Sequence, residues 1–152
     1  AYAMAGWRLG CIVGQGSLLE PVVRVHEHTS SFVSPFVQMA GVAALTGPHD
    51  HLKTWIAEVD LLRKQVAERL NRVDGVYCPL PQGATFVFPR YARQAASGDL
   101  VHSLVERENV VVTPGSGFGE SGQGHIRIAL MRSPADQVLQ GVERIARLLE
   151  TA

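Results

Sequence analysis

The chain has 152 residues, enough for one ordinary domain core, and its 14 lysines and arginines balance its 14 aspartates and glutamates. This neutral balance argues against a nucleic-acid partner or an anionic membrane surface, and no apolar run reaches the ~20 residues that span a bilayer. The two cysteines, Cys11 and Cys78, stand in apolar contexts, which predicts buried, reduced thiols in a cytoplasmic protein.

The first residues have the pattern of a packed element. Residue 1 is not methionine, and no turn or cap precedes the strand predicted over 7–13, which ends at Gly14. Domain termini usually lie at flexible surface positions. We therefore expect this chain to be the second part of a larger protein.

Two helices are predicted next, each with a start signal. Ser17 and Glu20 fit a capping box, in which hydroxyl and carboxylate satisfy each other's free amides, and this predicts a short helix. Ser34 and Pro35 form an N-cap and first-turn pair, and Gly47 supplies the stop of the second helix. Its small residues indicate close packing against another surface.

The longest predicted helix is capped by Asp50 and closed by Asp74 and Gly75. Charged side chains occupy its other faces, as expected for an amphipathic helix. Its apolar stripe is formed by Leu52, Ile56, Val59, Leu62, Val66, Leu70 and Val73.

Short strands and loops follow. Strands are predicted over 84–88, 110–112 and 125–130, a helix over 100–108, and a final helix that is opened by the capping sequence 133–136. The last two strands flank a glycine-rich loop. The pattern predicts a compact α+β unit from about residue 74 to the end.

Arg8 and Arg127 are the candidate binding residues. Arginine offers a planar fork of donors that matches phosphate or carboxylate oxygens in pairs. Arg8 lies in residues 4–10, MAGWRLG, where the glycines allow close backbone approach. Arg127 lies in an alternating apolar strand, where an unpaired cation is costly to bury. Taken alone, Arg127 is explained better by a structural salt bridge than by a ligand.

Two other patterns do not carry a site. Residues 117–122 satisfy the GxGxxG pattern, but a dinucleotide fingerprint must open a helix, and here a strand follows, so nucleotide binding is rejected. The histidine pairs have no cysteine or carboxylate cluster at ligand spacing, so no metal site is predicted. These pairs are His26 with His28 and His49 with His51.

The motifs resemble those of PLP-dependent (pyridoxal-phosphate-dependent) aminotransferases of the aspartate aminotransferase family, class I/II and fold type I. Members show Met-(Ala/Thr)-Gly-Trp-Arg-(Leu/Ile)-Gly, then Pro-x-Gly-(Ala/Gly)-x-(Phe/Tyr), Pro-Gly-(Ser/Thr)-x-Phe-Gly and Gly-x-(Ile/Val)-Arg-(Ile/Leu). Residues 4–10, 81–86, 114–119 and 124–128 match these patterns in the family's order.

The resemblance implies an α/β fold, as a fragment of a fold type I transferase. Residues 1–47 would end the large PLP-binding domain, 48–73 would form a bridging helix, and 74–152 would be the small α+β C-terminal domain. The implied cofactor is pyridoxal 5'-phosphate, with Arg8 on its phosphate and Arg127 on the substrate α-carboxylate. The Schiff-base lysine lies eight residues before the family's first arginine, so it is expected immediately before Ala1.

The implied activity is transfer of an amino group from an amino acid to a 2-oxo acid by a homodimer. The chain alone is predicted to be inactive because the lysine is missing. Polar residues stand where relatives place their dimer interface, although helix capping is the commoner explanation for them: Thr29, Ser30, Ser31 and Ser34. No arginine of the kind that aspartate-specific members use occurs there, so strict aspartate specificity is not expected.

Three alternatives stay open on the sequence. A PLP-dependent lyase or synthase on the same fold would share every residue above. A transcription regulator could carry an aminotransferase-like domain behind a basic DNA-binding segment. A non-catalytic fragment that dimerises would bind no PLP when extended.

Overall fold

The computed structural model describes residues 2–92, 94–131 and 133–150. The chain divides into two compact units, Ala1–Thr54 and Trp55–Ala152. The division falls within the longest helix, α3 (Asp50–Leu70). The mixed helix-and-strand composition is the predicted one.

The first unit contains a 3₁₀ turn, Ala5–Trp7, followed by α1 (Gly16–Thr29) and α2 (Pro35–Thr46). The boundaries of α2 are the predicted ones, since Ser34 is its N-cap and Gly47 its C-cap. Its large side chains Phe36, Met39, Val42 and Leu45 are exposed, and Gly41 alone is buried among the described residues of this unit. A Cβ on Gly41 would collide with the side chain of Leu9, so the glycine permits the close packing that the small residues predicted.

Two predictions for this unit are wrong. The strand predicted over 7–13 is a 3₁₀ turn followed by unpaired chain, because no neighbouring strand in the described residues supplies ladder hydrogen bonds. The capping box does not form, because α1 begins at Gly16 and Ser17 is already helical. Glu20 instead binds Arg24 at 2.6 Å.

The buried face of α3 follows the predicted stripe from Val59 onward, through Leu62, Val66 and Leu70. Earlier in the stripe the pattern fails, since Ile56 is 61% exposed. Asp50 is the first helical residue rather than the cap before it.

The second unit has two small antiparallel sheets. In the first, β1 (Val76–Tyr77) pairs with β3 (Arg90–Tyr91). In the second, β5 (Ile126–Ala129) lies between β2 (Phe86–Val87) and β4 (Thr113–Pro114).

The strand predicted over 110–112 is displaced to β4, and the cause is the end of α4 (Ser97–Glu108). Asn109 is left-handed at φ 53°, and the backbone N–H of Val110 donates to Leu104 O at 3.1 Å. This bond satisfies a free carbonyl at the helix end, so Val110 is not available for a strand ladder.

The core of the second unit lies between the three-stranded sheet and helices α3, α4 and α5 (Ala135–Glu150). Fully buried members include Val66, Leu70, Val87, Leu104, Ile126, Leu130, Val142 and Ile145. Cys78 is buried beside them, as predicted, but the prediction for Cys11 is wrong. Cys11 is exposed because it lies in the unpaired segment after the 3₁₀ turn.

The buried side chain of Arg63 joins α3 to the turn before β2 and pairs with the partly exposed Asp60 of the same helix. Arg63 is 6% exposed, and its Nη2 donates to Asp60 Oδ1 at 2.6 Å. Its Nη1 donates to the carbonyl of Ala84, which is left-handed at φ 62°. Hydrogen bonds from Lys64 and Arg63 lower the pKa of Asp60, so this carboxylate stays ionised opposite the buried cation.

The glycine-rich loop runs through two 3₁₀ turns, Gly115–Phe118 and Glu120–Gly122, directly into β5. The GxGxxG pattern therefore opens no helix. Gly115 and Gly122 are buried against each other, and a Cβ on either would collide with the other's backbone. The loop can close only because both positions lack a side chain.

Within the described residues, no helix combines the length and the apolar character needed to cross a membrane.

The loop contact generates the first testable expectation. Gly122→Ala should lower the free energy of unfolding by about 1–3 kcal/mol, because the new methyl group overpacks a backbone contact. Gly117→Ala is the matched control, since a Cβ there would meet no atom within 4 Å. Urea unfolding of both variants makes the measurement, and equal midpoints would contradict the contact.

The two cysteines provide the second testable expectation, which concerns their reactivity. Burial raises the pKa of the Cys78 thiol to about 11. At pH 8 about one in a thousand such thiols is ionised, and the thiolate is the nucleophile. We expect iodoacetamide to alkylate Cys11 at pH 8 and to leave Cys78 unmodified until the protein is unfolded. Peptide mass mapping measures this, with Cys11→Ala as the control, and rapid labelling of native Cys78 would disprove its burial.

Candidate active site

The candidate site lies on the face of the three-stranded sheet that points away from the core. Along β5, Ile126 and Ile128 are buried, so Arg127 points to the opposite face. The register sets Thr113 opposite Arg127 and Phe86 opposite Ala129. Cross-strand partners share a face, and this one therefore carries a cation, a hydroxyl and an aromatic ring.

The guanidinium of Arg127 contacts two aromatic rings. Its Cζ lies 4.6 Å from the ring centroid of Phe86 and 4.9 Å from that of Phe118. Both distances are within the range of cation–π attraction. The Nη2 group donates to Thr113 Oγ1 at 3.2 Å.

No side-chain carboxylate of the described residues pairs with Arg127, and the residues outside the described ranges are not acidic. The Nε atom is buried and has no hydrogen-bond partner. A buried donor left unsatisfied costs about 1–3 kcal/mol. Within the described residues, this arginine therefore does not form the structural salt bridge that the sequence left open.

This geometry has a chemical consequence. Both rings lie close to the guanidinium, and Thr113 accepts a hydrogen bond from only one of its N–H groups. Nη1 and the second N–H of Nη2 remain as donors, and a planar carboxylate can accept parallel hydrogen bonds from such a pair. The arrangement suits a planar anion.

Arg8 lies in the first unit and is described there by itself. It follows the 3₁₀ turn in the left-handed conformation, at φ 55° and ψ 35°. Non-glycine residues in this region carry a strain of about 1–3 kcal/mol, and such residues cluster at functional sites. The side chain is exposed, and its Nη1 donates to Ala5 O at 3.3 Å.

The surroundings of Arg8 fit a phosphate. No acidic side chain of the described residues forms an ion pair with Arg8. A Cβ at Gly6 or Gly10 would meet no atom within 4 Å, so space remains on either side of the arginine in this unit. An exposed guanidinium with free donors beside open backbone can take up a phosphate group.

The remaining predicted residues are local in character. Thr29 Oγ1 donates to Val25 O at 2.9 Å and Ser31 Oγ to Glu27 O at 3.4 Å, so both hydroxyls bind the end of α1. The expected lysine before Ala1 lies outside the described residues. In the described part of the chain, no group of three or more histidine, cysteine or acidic side chains could hold a metal.

Sequence reasoning missed Thr113 as a partner of Arg127. The signal was present, since Thr113 directly precedes the Pro-Gly of the loop motif. Only the register of β4 against β5 turns that neighbour into a contact.

Comparisons with known proteins give the family. The model of the family "Aminotransferase class I and II" matches residues 1–145. An LL-diaminopimelate aminotransferase of Maridesulfovibrio salexigens is 35% identical over 97% of this chain and 37% of its own length. An aspartate aminotransferase of Pyrococcus horikoshii is 33% identical over 98% of this chain and 39% of its own length.

Solved structures agree. The aromatic aminotransferase of Pyrococcus horikoshii superposes with a TM-score of 0.84 at 30% identity, over 97% of this chain and 40% of that one. The aspartate aminotransferase of Rhizobium meliloti superposes with a TM-score of 0.80 at 34% identity, over 98% of this chain and 39% of that one. The chain thus spans about two fifths of the length of these relatives. The fold class and the resemblance that the sequence predicted are confirmed, and the chain belongs to the class I and II aminotransferase family.

Proposed function

We propose that this chain is the C-terminal portion of a PLP-dependent aminotransferase that moves an amino group from an amino acid to a 2-oxo acid. The observation that carries the proposal is Arg127, a cation without a carboxylate partner whose buried Nε lacks a hydrogen bond. The relatives, which are named for amino-acid substrates, support the same activity. In this proposal residues 1–47 end the large domain, 48–73 bridge, and 74–152 form the small domain.

Arg8 is proposed to bind the phosphate of pyridoxal 5'-phosphate. When bound, this cofactor supplies an electron sink that stabilises negative charge on the substrate's α-carbon. Arg8 contributes a charge that persists at every physiological pH and a fork of donors that matches phosphate oxygens. Its left-handed backbone sets the direction in which the side chain leaves the chain after the 3₁₀ turn.

Arg127 is proposed to bind and orient the α-carboxylate. Phe86 and Phe118 lie against the guanidinium, and the carboxylate is proposed to bind its terminal nitrogens, Nη1 and Nη2. Bidentate binding there restricts rotation of the substrate, which holds its α-proton toward the base that removes it.

The proposed assembly is a cytoplasmic homodimer of the whole protein, with an amino acid and a 2-oxo acid as substrates. Large apolar side chains exposed on α2 support a covered surface in that assembly: Phe36, Met39, Val42 and Leu45. The polar stretch 29–34 contains no arginine, so a donor other than aspartate is included in the proposal.

The first experiment tests the reaction and the cofactor together. The whole protein is mixed with pyridoxal 5'-phosphate, reduced with borohydride and digested, and the modified lysine is located by mass spectrometry. An adduct on a lysine immediately before residue 1, with formation of a new amino acid from a 2-oxo acid, is the expected outcome. Breakdown of the donor without a new amino acid would identify a lyase instead, and absence of any adduct would refute the proposal.

The isolated chain should be inactive. Its two lysines, Lys53 and Lys64, lie on α3 and pair with Asp50 at 3.2 Å and with Asp60 at 2.8 Å. Neither is placed to act as the expected Schiff-base lysine, so the 152-residue chain with added cofactor should give no turnover above a buffer blank. Amino transfer at a measurable rate would show that the missing lysine is not required.

Substitution of each of the two arginines should change a different measured constant. In the whole protein, Arg127→Ala should raise the KM for 2-oxoglutarate, and Arg8→Ala should raise the Kd for pyridoxal 5'-phosphate, each by about ten- to a hundredfold, as expected for lost charge-assisted hydrogen bonds. Arg107→Ala, an exposed arginine on α4, is the matched control and should change neither. If the Arg127 variant keeps its KM, the carboxylate role is wrong.

A further inference from the structure

The ring of Phe118 connects the site to the glycine-rich loop. It lies 4.9 Å from Cζ of Arg127 and packs edge-to-face on Phe88, with ring centroids 5.7 Å apart. Phe88 is in turn stacked on His125 at 5.0 Å. Although 52% exposed, Phe118 is therefore contacted from two directions.

The loop that carries Phe118 is anchored at the start of α4. Ser97, the first residue of that helix, is fully buried. Its Oγ accepts a hydrogen bond from the backbone N–H of Ser116 at 3.1 Å and lies 2.9 Å from Ser116 Oγ. The backbone N–H of Ser97 donates to Gln123 Oε1 at 3.0 Å. Residues on both sides of Phe118 are thus bound to one buried serine.

We infer that Phe118, held by this anchored loop, is a positioning residue for Arg127 and so sets the affinity of the site for carboxylates. The inference rests on the proposed function, because it assigns to Arg127 the substrate carboxylate. Phe118 does not take the carboxylate itself. Its ring helps to hold the guanidinium in one orientation, in which Nη1 is bound to no described residue.

The physical reason is preorganisation. A free arginine side chain has many rotamers, and ordering it on binding opposes affinity. Phe86 contacts the guanidinium from β2, and Phe118 contacts it from the loop, so both contacts exist before any ligand arrives. Cation–π attraction requires a ring face and not merely apolar bulk. The identity of the side chain at 118 should therefore matter more than its volume.

The test compares an aromatic side chain at position 118 with an aliphatic one. Phe118→Leu keeps an apolar side chain and removes the π-face, whereas Phe118→Tyr keeps the face and can direct its hydroxyl to solvent from this half-exposed position. In the whole protein, the Kd of 2-oxoglutarate is measured by calorimetry and its KM by turnover. Phe118→Leu should raise both about two- to fivefold. Phe118→Tyr should restore both, with the thermal unfolding midpoint unchanged in each variant.

The anchor is tested separately. Ser97→Ala removes the acceptor of the Ser116 N–H and should raise the Kd for 2-oxoglutarate in the same direction as Phe118→Leu. Ser103→Ala, on the same helix and with no part in the loop contacts, is the control and should leave the Kd unchanged.

The outcomes are distinguishable. If Arg127→Ala weakens 2-oxoglutarate binding and Phe118→Leu does not, the positioning role is overturned and the proposed function stands. If Phe118→Leu and Phe118→Tyr weaken binding equally, the ring face is not the cause and the inference is again overturned. If Arg127→Ala leaves binding unchanged, the proposed carboxylate site fails and the inference fails with it.

Discussion

The second unit depends on the position of one strand between two others. β5 pairs with β2 on one side and β4 on the other, and its Ile126 and Ile128 are buried in the core. Because side chains alternate along a strand, Arg127 must point to the face opposite the core. A cation that stands between two core residues is placed as firmly as the core itself, because flipping it would expose both isoleucines. The strand therefore fixes the position of Arg127 while its charged group stays partly exposed.

The remaining parts of the unit serve that strand. The tight approach of Gly115 to Gly122 returns the chain from β4 to β5, and the loop between them carries Phe118 onto the arginine. The Asp60–Arg63 pair reaches the turn that leads into β2, whose Phe86 completes the aromatic contacts. Binding groups of the proposed site therefore rest on hydrogen bonds and packing at some distance from it.

Much of this could be predicted from residue patterns where the cause is local. The Ser34–Pro35 start and Gly47 stop of α2 depend on the chain's own dihedral preferences, and they were correct. The errors arose where a partner decides the structure. The segment 7–13 has strand composition but no ladder partner among the described residues, and Val110 bonds to the end of α4. Cys11 was expected to be buried and is exposed, because it lies in this unpaired segment.

The sequence by itself determined the family, because the motifs around Arg8, the Pro-Gly loop and Arg127 resemble those of the family and occur in the same order. It also predicted an anionic partner for Arg127, since a cation in an apolar strand is costly to bury. Only the tertiary structure decided that this partner is not a carboxylate of the described chain, and that two aromatic rings and Thr113 surround the guanidinium. The physical reason is that the separation of two residues along the chain does not predict their distance in space. Residues 86, 113, 118 and 127 meet through strand register and a closed loop, which depend on the packing of the whole unit.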